Sequence, residues 1–312
     1  MKKVAIFPGQ GAQRPGMGKD LFDGFAEARD LFARADEVLD FPLSETCFTA
    51  PAETVNRTDV CQPGIFLVSA VTMEILKARR GLSVGDFSAA AGLSLGEYTA
   101  LWFAGALSFE DGLALTRLRG TLMQAASDAR PSGMTSVMGL DLTKVEAVCA
   151  GLREGGGIVC VANLNSPGQI VISGASEDLE AAAPLLKEAG ARRTIPLSVA
   201  GAFHSPLMEP AAQGLSAKLA EIDVRPAEIP VISNASATPV QDPDEIRAGL
   251  VRQLTSPVLW ERSMRSLLSD GVETFVEPGP GNVLAGLMKK IERGATVEGF
   301  PDAASLAGGE EG

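Results

Sequence analysis

The sequence predicts an α/β protein: a large domain built on a parallel sheet, interrupted by a small inserted ferredoxin-like domain. Three observations lead there. Short apolar runs alternate with helical patterns through the first third of the chain. The rhythm then becomes β-α-β-β-α-β over residues 133–197. Finally, βα alternation resumes after residue 198. The expected division gives residues 1–128 and 198–312 to the large domain and 129–197 to the insertion.

VAIF (4–7), stopped by Pro8 and Gly9, predicts a buried first strand rather than a signal peptide. Residues 20–39 predict one helix, and residues 61–81 a second that ends at Gly81. SVGDFSAAAGLS leads into a turn at Ser94, and GEYTALWFAGALS predicts a helix closed near Gly105. Ser108, three residues before Asp111, gives a capping signal for a helix over 108–127. In the insertion, the strands are MTSVMGL, IVCVANL, QIVISG and ARRTIPL. The helices are TKVEAVCAGLREG and SEDLEAAAPLLKEAG. PVISNA (230–235) then predicts a strand, residues 244–254 and 259–271 helices, TFVEPGPG a strand, and NVLAGLMKKIER the last helix. The closing GGEEG reads as a frayed tail.

Composition narrows the function. A net charge of −12 argues against a nucleic-acid partner, because phosphate binding needs a basic face. No uninterrupted apolar run approaches the roughly 18 residues of a membrane span, so no membrane role is expected. Cys47, Cys61, Cys149 and Cys160 lack C-x-x-C spacing, and there is a single histidine, so no metal site is expected. Four scattered thiols fit a reduced, cytoplasmic setting.

Gly92-Leu93-Ser94-Leu95-Gly96 fits the G-x-S-x-G elbow, an α/β-hydrolase-like feature that exposes a serine on a sharp strand-to-helix turn. Taken alone it also fits a buried serine capping a helix. The Leu95 N–H, at the helix start, has no intrahelical partner and can face a developing oxyanion. A nucleophilic Ser94 needs a base, and His204 in LSVAGAFHSPLM is the only imidazole. FPGQGAQ (7–13) lacks the third glycine of a dinucleotide fingerprint. Its turn leaves the first strand at the carboxyl edge of the sheet, where the Gln10 N–H can serve as a second oxyanion donor. On helix 108–127, Arg119 falls about 70° from the centre of the stripe Leu115, Leu118, Leu122, and Arg117 about 130°. Arg119 is thus the inward-leaning arginine, suited to an ion pair or to a substrate carboxylate.

Together with TRLRGTLMQ, NLNSPGQIVISG, QLTSPVLW and EPGPGNVLAGL, these motifs run in order along nearly the whole chain. The chain resembles the malonyl-CoA:acyl-carrier-protein transacylases of fatty acid synthesis and the acyltransferase domains of polyketide synthases. The resemblance implies Ser94 as the acylated nucleophile, His204 as base, and the Gln10 and Leu95 N–H groups as oxyanion hole. Arg119 would grip the malonyl carboxylate, and a carbonyl at Gln253 would orient His204. Asn163 and Asn165 would lie near the cleft, and Phe203 would narrow the pocket beside the acyl α-carbon.

Many family members carry histidine before the serine; here Leu93 stands there, changing the packing beside the acyl pocket. The family needs no cofactor; malonyl-CoA and the phosphopantetheine of an acyl carrier protein are the implied substrates. A monomer is expected. An acidic carrier calls for a local basic patch, for which Lys289, Lys290 and Arg293 on the last helix and Arg192 and Arg193 on the insertion are candidates. Two alternatives use the same Ser94 and His204: a trans-acting polyketide acyltransferase and an acyl-thioester hydrolase. A non-catalytic acyl-binding module is a third.

Overall fold

A computed structural model describes residues 2–307, so the tail expected at 308–312 lies outside the described residues. Two sheets organise the chain. The larger contains β1 (Lys2–Phe7), β2 (Ala89–Gly92), β7 (Val231–Ile232), β8 (Pro239–Val240), β9 (Val272–Pro278) and β10 (Thr296–Phe300), in the order β10-β9-β1-β2-β7-β8. Its pairs are parallel except β7–β8. The smaller contains β3 (Ser132–Met138), β4 (Val159–Ser166), β5 (Gln169–Ala175) and β6 (Arg193–Pro196), all antiparallel in the order β4-β5-β3-β6. Helices Leu142–Glu154 and Ser176–Glu188 connect β3 to β4 and β5 to β6, which completes the ferredoxin-like arrangement.

The central strands follow from their residues. In β1 the run Val4–Phe7 is fully buried, and all four residues of β2 are buried, as a strand covered on both faces requires. The helix Thr58–Arg80 is long and apolar enough to cross a membrane, yet 89% of its apolar window is buried inside the protein. It packs on the helix Phe109–Asp128 as core, and its C-terminus passes into Gly81 at φ +64°. The expected cap is present: the Asp111 N–H donates to Ser108 Oγ at 3.0 Å.

Several expectations need correction. The single helix over 20–39 is two, Lys19–Gly24 and Ala26–Leu39, because Phe25 is extended and turns its ring into the core. PVISNA forms only a two-residue strand. The helix Glu209–Leu219, the strand β10 and short helices at Leu43–Thr49 and Ala303–Ala307 go beyond the sequence assignments. Helix Val283–Ile291 is therefore not the last one, and Arg293 lies beyond its end.

The small sheet is tied at one edge to the segment between helices Pro243–Gln253 and Trp260–Ser269. Leu164 N–H donates to the Val258 carbonyl and Val258 N–H to the Ala162 carbonyl, both at 2.9 Å, so a residue of QLTSPVLW extends the β4 edge.

Candidate active site

Strand β2 ends at Gly92 and the helix Gly96–Phe103 begins four residues later, so the chain must reverse within LSL. Side chains at either glycine would block that turn. A Cβ on Gly92 would stand 1.9 Å from the Gly96 carbonyl carbon, and one on Gly96 would stand 2.1 Å from the Phe7 carbonyl oxygen. Ser94 adopts φ +53°, a conformation costing an L-residue about 1–3 kcal/mol. Asn234, just past β7, offsets that cost. Its Oδ1 accepts the Ser94 N–H at 2.6 Å, and its Nδ2 donates to the Gly92 carbonyl at 2.7 Å.

His204 lies 2.8 Å from Ser94 Oγ through Nε2, and 2.8 Å from the Gln253 backbone carbonyl through Nδ1. A carbonyl only accepts, so Nδ1 carries the proton and Nε2 is left to accept the serine hydroxyl. Burial, followed by the Arg119 charge, pushes the imidazole pKa down from 6.5 to about 4, keeping it neutral. His204 is itself at φ +59°, so both members of the pair sit in left-handed backbone.

Arg119 is 1% exposed. Its Nη2 donates to Ser94 Oγ and Gln253 Oε1, each at 3.0 Å, and its Nη1 donates to Gln62 Oε1 at 2.7 Å. Among the described residues no carboxylate forms an ion pair with it, and its Nε has no partner. Arg117 is more confined than an outward-leaning arginine should be: it bonds the Asp59 carbonyl and lies 3.3 Å from the Asp59 carboxylate.

The N–H groups of Gln10 and Leu95 have no acceptor among the described residues. A cavity of about 170 Å³ is lined by Gln10, Ser94, Asn163, Asn165, Phe203 and His204, joined by Leu93, Met123, Met134 and Val199. Leu93 fills the position before the serine as a core residue beside Val258 and Trp260. A roomier hollow of about 600 Å³ lies between the insertion's two helices, but it holds neither the serine nor the histidine.

Of the basic candidates, Lys290 reaches the cavity's rim: its Nζ donates to Gln169 Oε1 at 2.7 Å, and Gln169 lines the cavity. Arg193 is paired through Met138 with the row that holds Gln169, on the opposite edge of the small sheet from β4.

Sequence reasoning missed three polar residues: Gln62, Asn234 and Glu97. Glu97 Oε2 accepts from Gln253 Nε2 at 2.6 Å and from the Asn234 N–H at 3.1 Å. Burial raises its pKa to about 7. A lone carboxylate in the apolar stretch GEYTALWF was the available signal. Among the described residues no group of three or more His, Cys, Asp or Glu could hold a metal ion.

A serine on a strand-to-helix elbow, bonded to a neutral imidazole beside a buried guanidinium, defines an α/β enzyme of the acyl-transferring class. The chain belongs to the family described as acyl transferase domain, whose model matches residues 4–307. It is 45% identical over 294 residues to a malonyl CoA-acyl carrier protein transacylase of Bacillus subtilis, covering 94% of this chain and 92% of that one. It is 39% identical to the protein of the same name from Staphylococcus aureus, covering 94% and 93%. Among solved structures, an acyl carrier protein S-malonyltransferase from Vibrio cholerae superposes with a TM-score of 0.93 at 39% identity, covering 98% and 99%. A malonyl-transacylase in complex with a type II PKS acyl-carrier protein also gives 0.93, at 37% identity and 98% of each chain.

Proposed function

We propose that this acyltransferase moves a malonyl group from malonyl-CoA to the phosphopantetheine thiol of an acyl carrier protein, in fatty acid synthesis, through a malonyl ester on Ser94. The observation that carries the reading is the buried Arg119, bonded to Ser94 Oγ and lacking a direct carboxylate partner among the described residues. A cation so placed can grip an acyl group whose far end is a carboxylate by exchanging its present amide and hydroxyl partners for the two carboxylate oxygens.

Ser94 Oγ attacks the thioester carbonyl as its proton passes to His204 Nε2, and the Gln10 and Leu95 N–H groups stabilise the oxyanion. Collapse expels the coenzyme A thiolate, which takes the proton back from His204. The carrier thiol then gives its proton to His204 and attacks the ester, and collapse returns a proton to Ser94. The Gln253 carbonyl keeps the histidine in the required tautomer throughout. Phe203 narrows the pocket at the acyl α-carbon, and Asn163 and Asn165 line the approach. No step needs a cofactor.

Lys289, Lys290 and Arg293 form our proposed contact for an acidic carrier, with Arg192 and Arg193 as its second bank. The protein is proposed to act as a monomer in the cytoplasm, which its four free thiols support. The similarity to a type II PKS transacylase favours service to a polyketide carrier as a second reading.

Intact-mass measurement after mixing with malonyl-CoA tests the scheme. One malonyl group should be added, be absent in Ser94→Ala, and pass to a reduced carrier protein. Free malonate with an unmodified carrier would indicate hydrolysis instead.

A further inference from the structure

Arg119 is buried as a cation, and its nearest compensation runs through an amide. Its Nη2 donates to Gln253 Oε1 at 3.0 Å; Gln253 Nε2 in turn donates to Glu97 Oε2 at 2.6 Å and to the Ser94 carbonyl at 2.9 Å. Arginine can only donate, and the carboxylate and the carbonyl accept, so these partners fix which end of the Gln253 amide meets the guanidinium. The same Gln253 lends its backbone carbonyl to His204. Glu97 Oε2 also accepts the N–H of Asn234, whose side chain spans the strained serine turn. One buried carboxylate thus touches both supports of the site, and the mechanism above does not use it.

We propose that Glu97 is a positioning residue that, through the Gln253 amide, aims the Arg119 guanidinium at acyl groups bearing a free carboxylate. The proposal rests on the malonyl-transfer reading and deepens it. Without Glu97, the Gln253 amide loses its strongest acceptor, keeps only the Ser94 carbonyl for its Nε2, and holds its Oε1 on Arg119 less firmly. The guanidinium then shifts, and a carboxylated acyl group suffers more than a plain one. The charged groups acting on Glu97 are Arg119 on helix Phe109–Asp128 and Arg252 on helix Pro243–Gln253, with Tyr98 beside it in sequence. Burial outweighs them, so Glu97 titrates near neutrality while His204 does not.

The test compares Ser94 acylation by malonyl-CoA and acetyl-CoA, followed by intact mass, in the full-length wild type, Glu97→Ala, Glu97→Asp and Glu97→Gln. Glu97→Ala should lower the malonyl-to-acetyl rate ratio by about tenfold or more. Glu97→Asp, which withdraws the acceptor by one methylene, should lower it too and serves if the alanine variant does not fold. Glu97→Gln, which keeps an acceptor oxygen, should hold the ratio within about threefold of wild type. A ratio unchanged in Ala and Asp while both rates fall together would overturn the proposal, leaving Glu97 a scaffold residue. So would a glutamine variant as unselective as alanine. A wild type acylated by neither donor would instead remove the transfer reading itself.

Discussion

The two walls of the cavity differ in how their polar groups are held. On the large-sheet side, Ser94 and His204 line the cavity beside apolar residues such as Leu93, Met123 and Phe203, and behind them Arg119, Gln253, Glu97 and Asn234 lock the pair with buried hydrogen bonds of 2.6–3.1 Å. On the insertion's side the lining mixes Met134, Val171 and Leu197 with Asn163, Asn165 and Gln169; Asn165 Oδ1 has no partner among the described residues, and strand β6 is largely exposed. A polar network can hold reacting atoms to a fraction of an ångström, because each bond loses strength with misalignment. Side chains without such a network set shape without fixing positions as tightly, and methionine adapts to what it meets. On the proposed scheme the reacting groups and the grip on the acyl carboxylate belong to the networked wall, and the insertion's wall adjusts the room left to larger acyl groups.

Substitutions on the two walls can break that contrast. The largest effect is expected for Arg119→Lys, which keeps the charge but loses the fork. Its rate of Ser94 acylation by malonyl-CoA should fall about a hundredfold, with acetyl-CoA far less affected, in single-turnover assays. Equal losses with both donors would detach the arginine from selectivity.

Next comes pH. On the proposed scheme acylation requires neutral His204, whose pKa burial pushes down to about 4, so the rate should survive acidification through 6.5 and be lost only as pH approaches 4. The same shift makes the histidine's contribution to stability present above 6.5 and lost as pH falls toward 4. Glu97 and Glu277 work the other way. Both are raised by burial to about 7, so their contribution is present below 4.5 and lost as pH rises through 7. Glu277→Gln should accordingly flatten the decline in the urea midpoint between pH 5 and 8.

Asn234→Ala leaves the buried Ser94 N–H without its acceptor and should cost about 1–3 kcal/mol in denaturant unfolding. The smallest change in malonyl transfer is expected for Met134→Ala on the insertion. Its malonyl rate should stay within about tenfold, while larger branched donors gain relative to malonyl-CoA. A loss as deep as that of Arg119→Lys would erase the division between the walls.

Much of this was legible in advance, and what was not has physical causes. Ser94, His204 and Arg119 stood out because each is an unusual residue type in its setting: a serine between glycines, the only histidine, an arginine on the flank of an apolar stripe. Asn234 and Gln62 did not, because a single polar residue beside an apolar run has many uses and its partner lies far along the chain, 140 residues away for Asn234 and Ser94. The break at Phe25 was hidden because the two helices keep the same apolar spacing across it. β10 escaped because its alternating exposure suits an edge strand whose pattern, TVEGF, is too short to stand out.

The α/β order, the elbow and the identity of the chemical groups could be read along the chain, since these depend on local periodicity and on glycines that permit close backbone approach. The resemblance named the Gln253 carbonyl as the partner of His204, but that the Gln253 amide joins Arg119 to Glu97 and that Asn234 spans the serine turn emerged from tertiary packing alone. Those contacts join separate segments of the chain, and hydrogen-bond direction inside a buried network is set by what folding brings together.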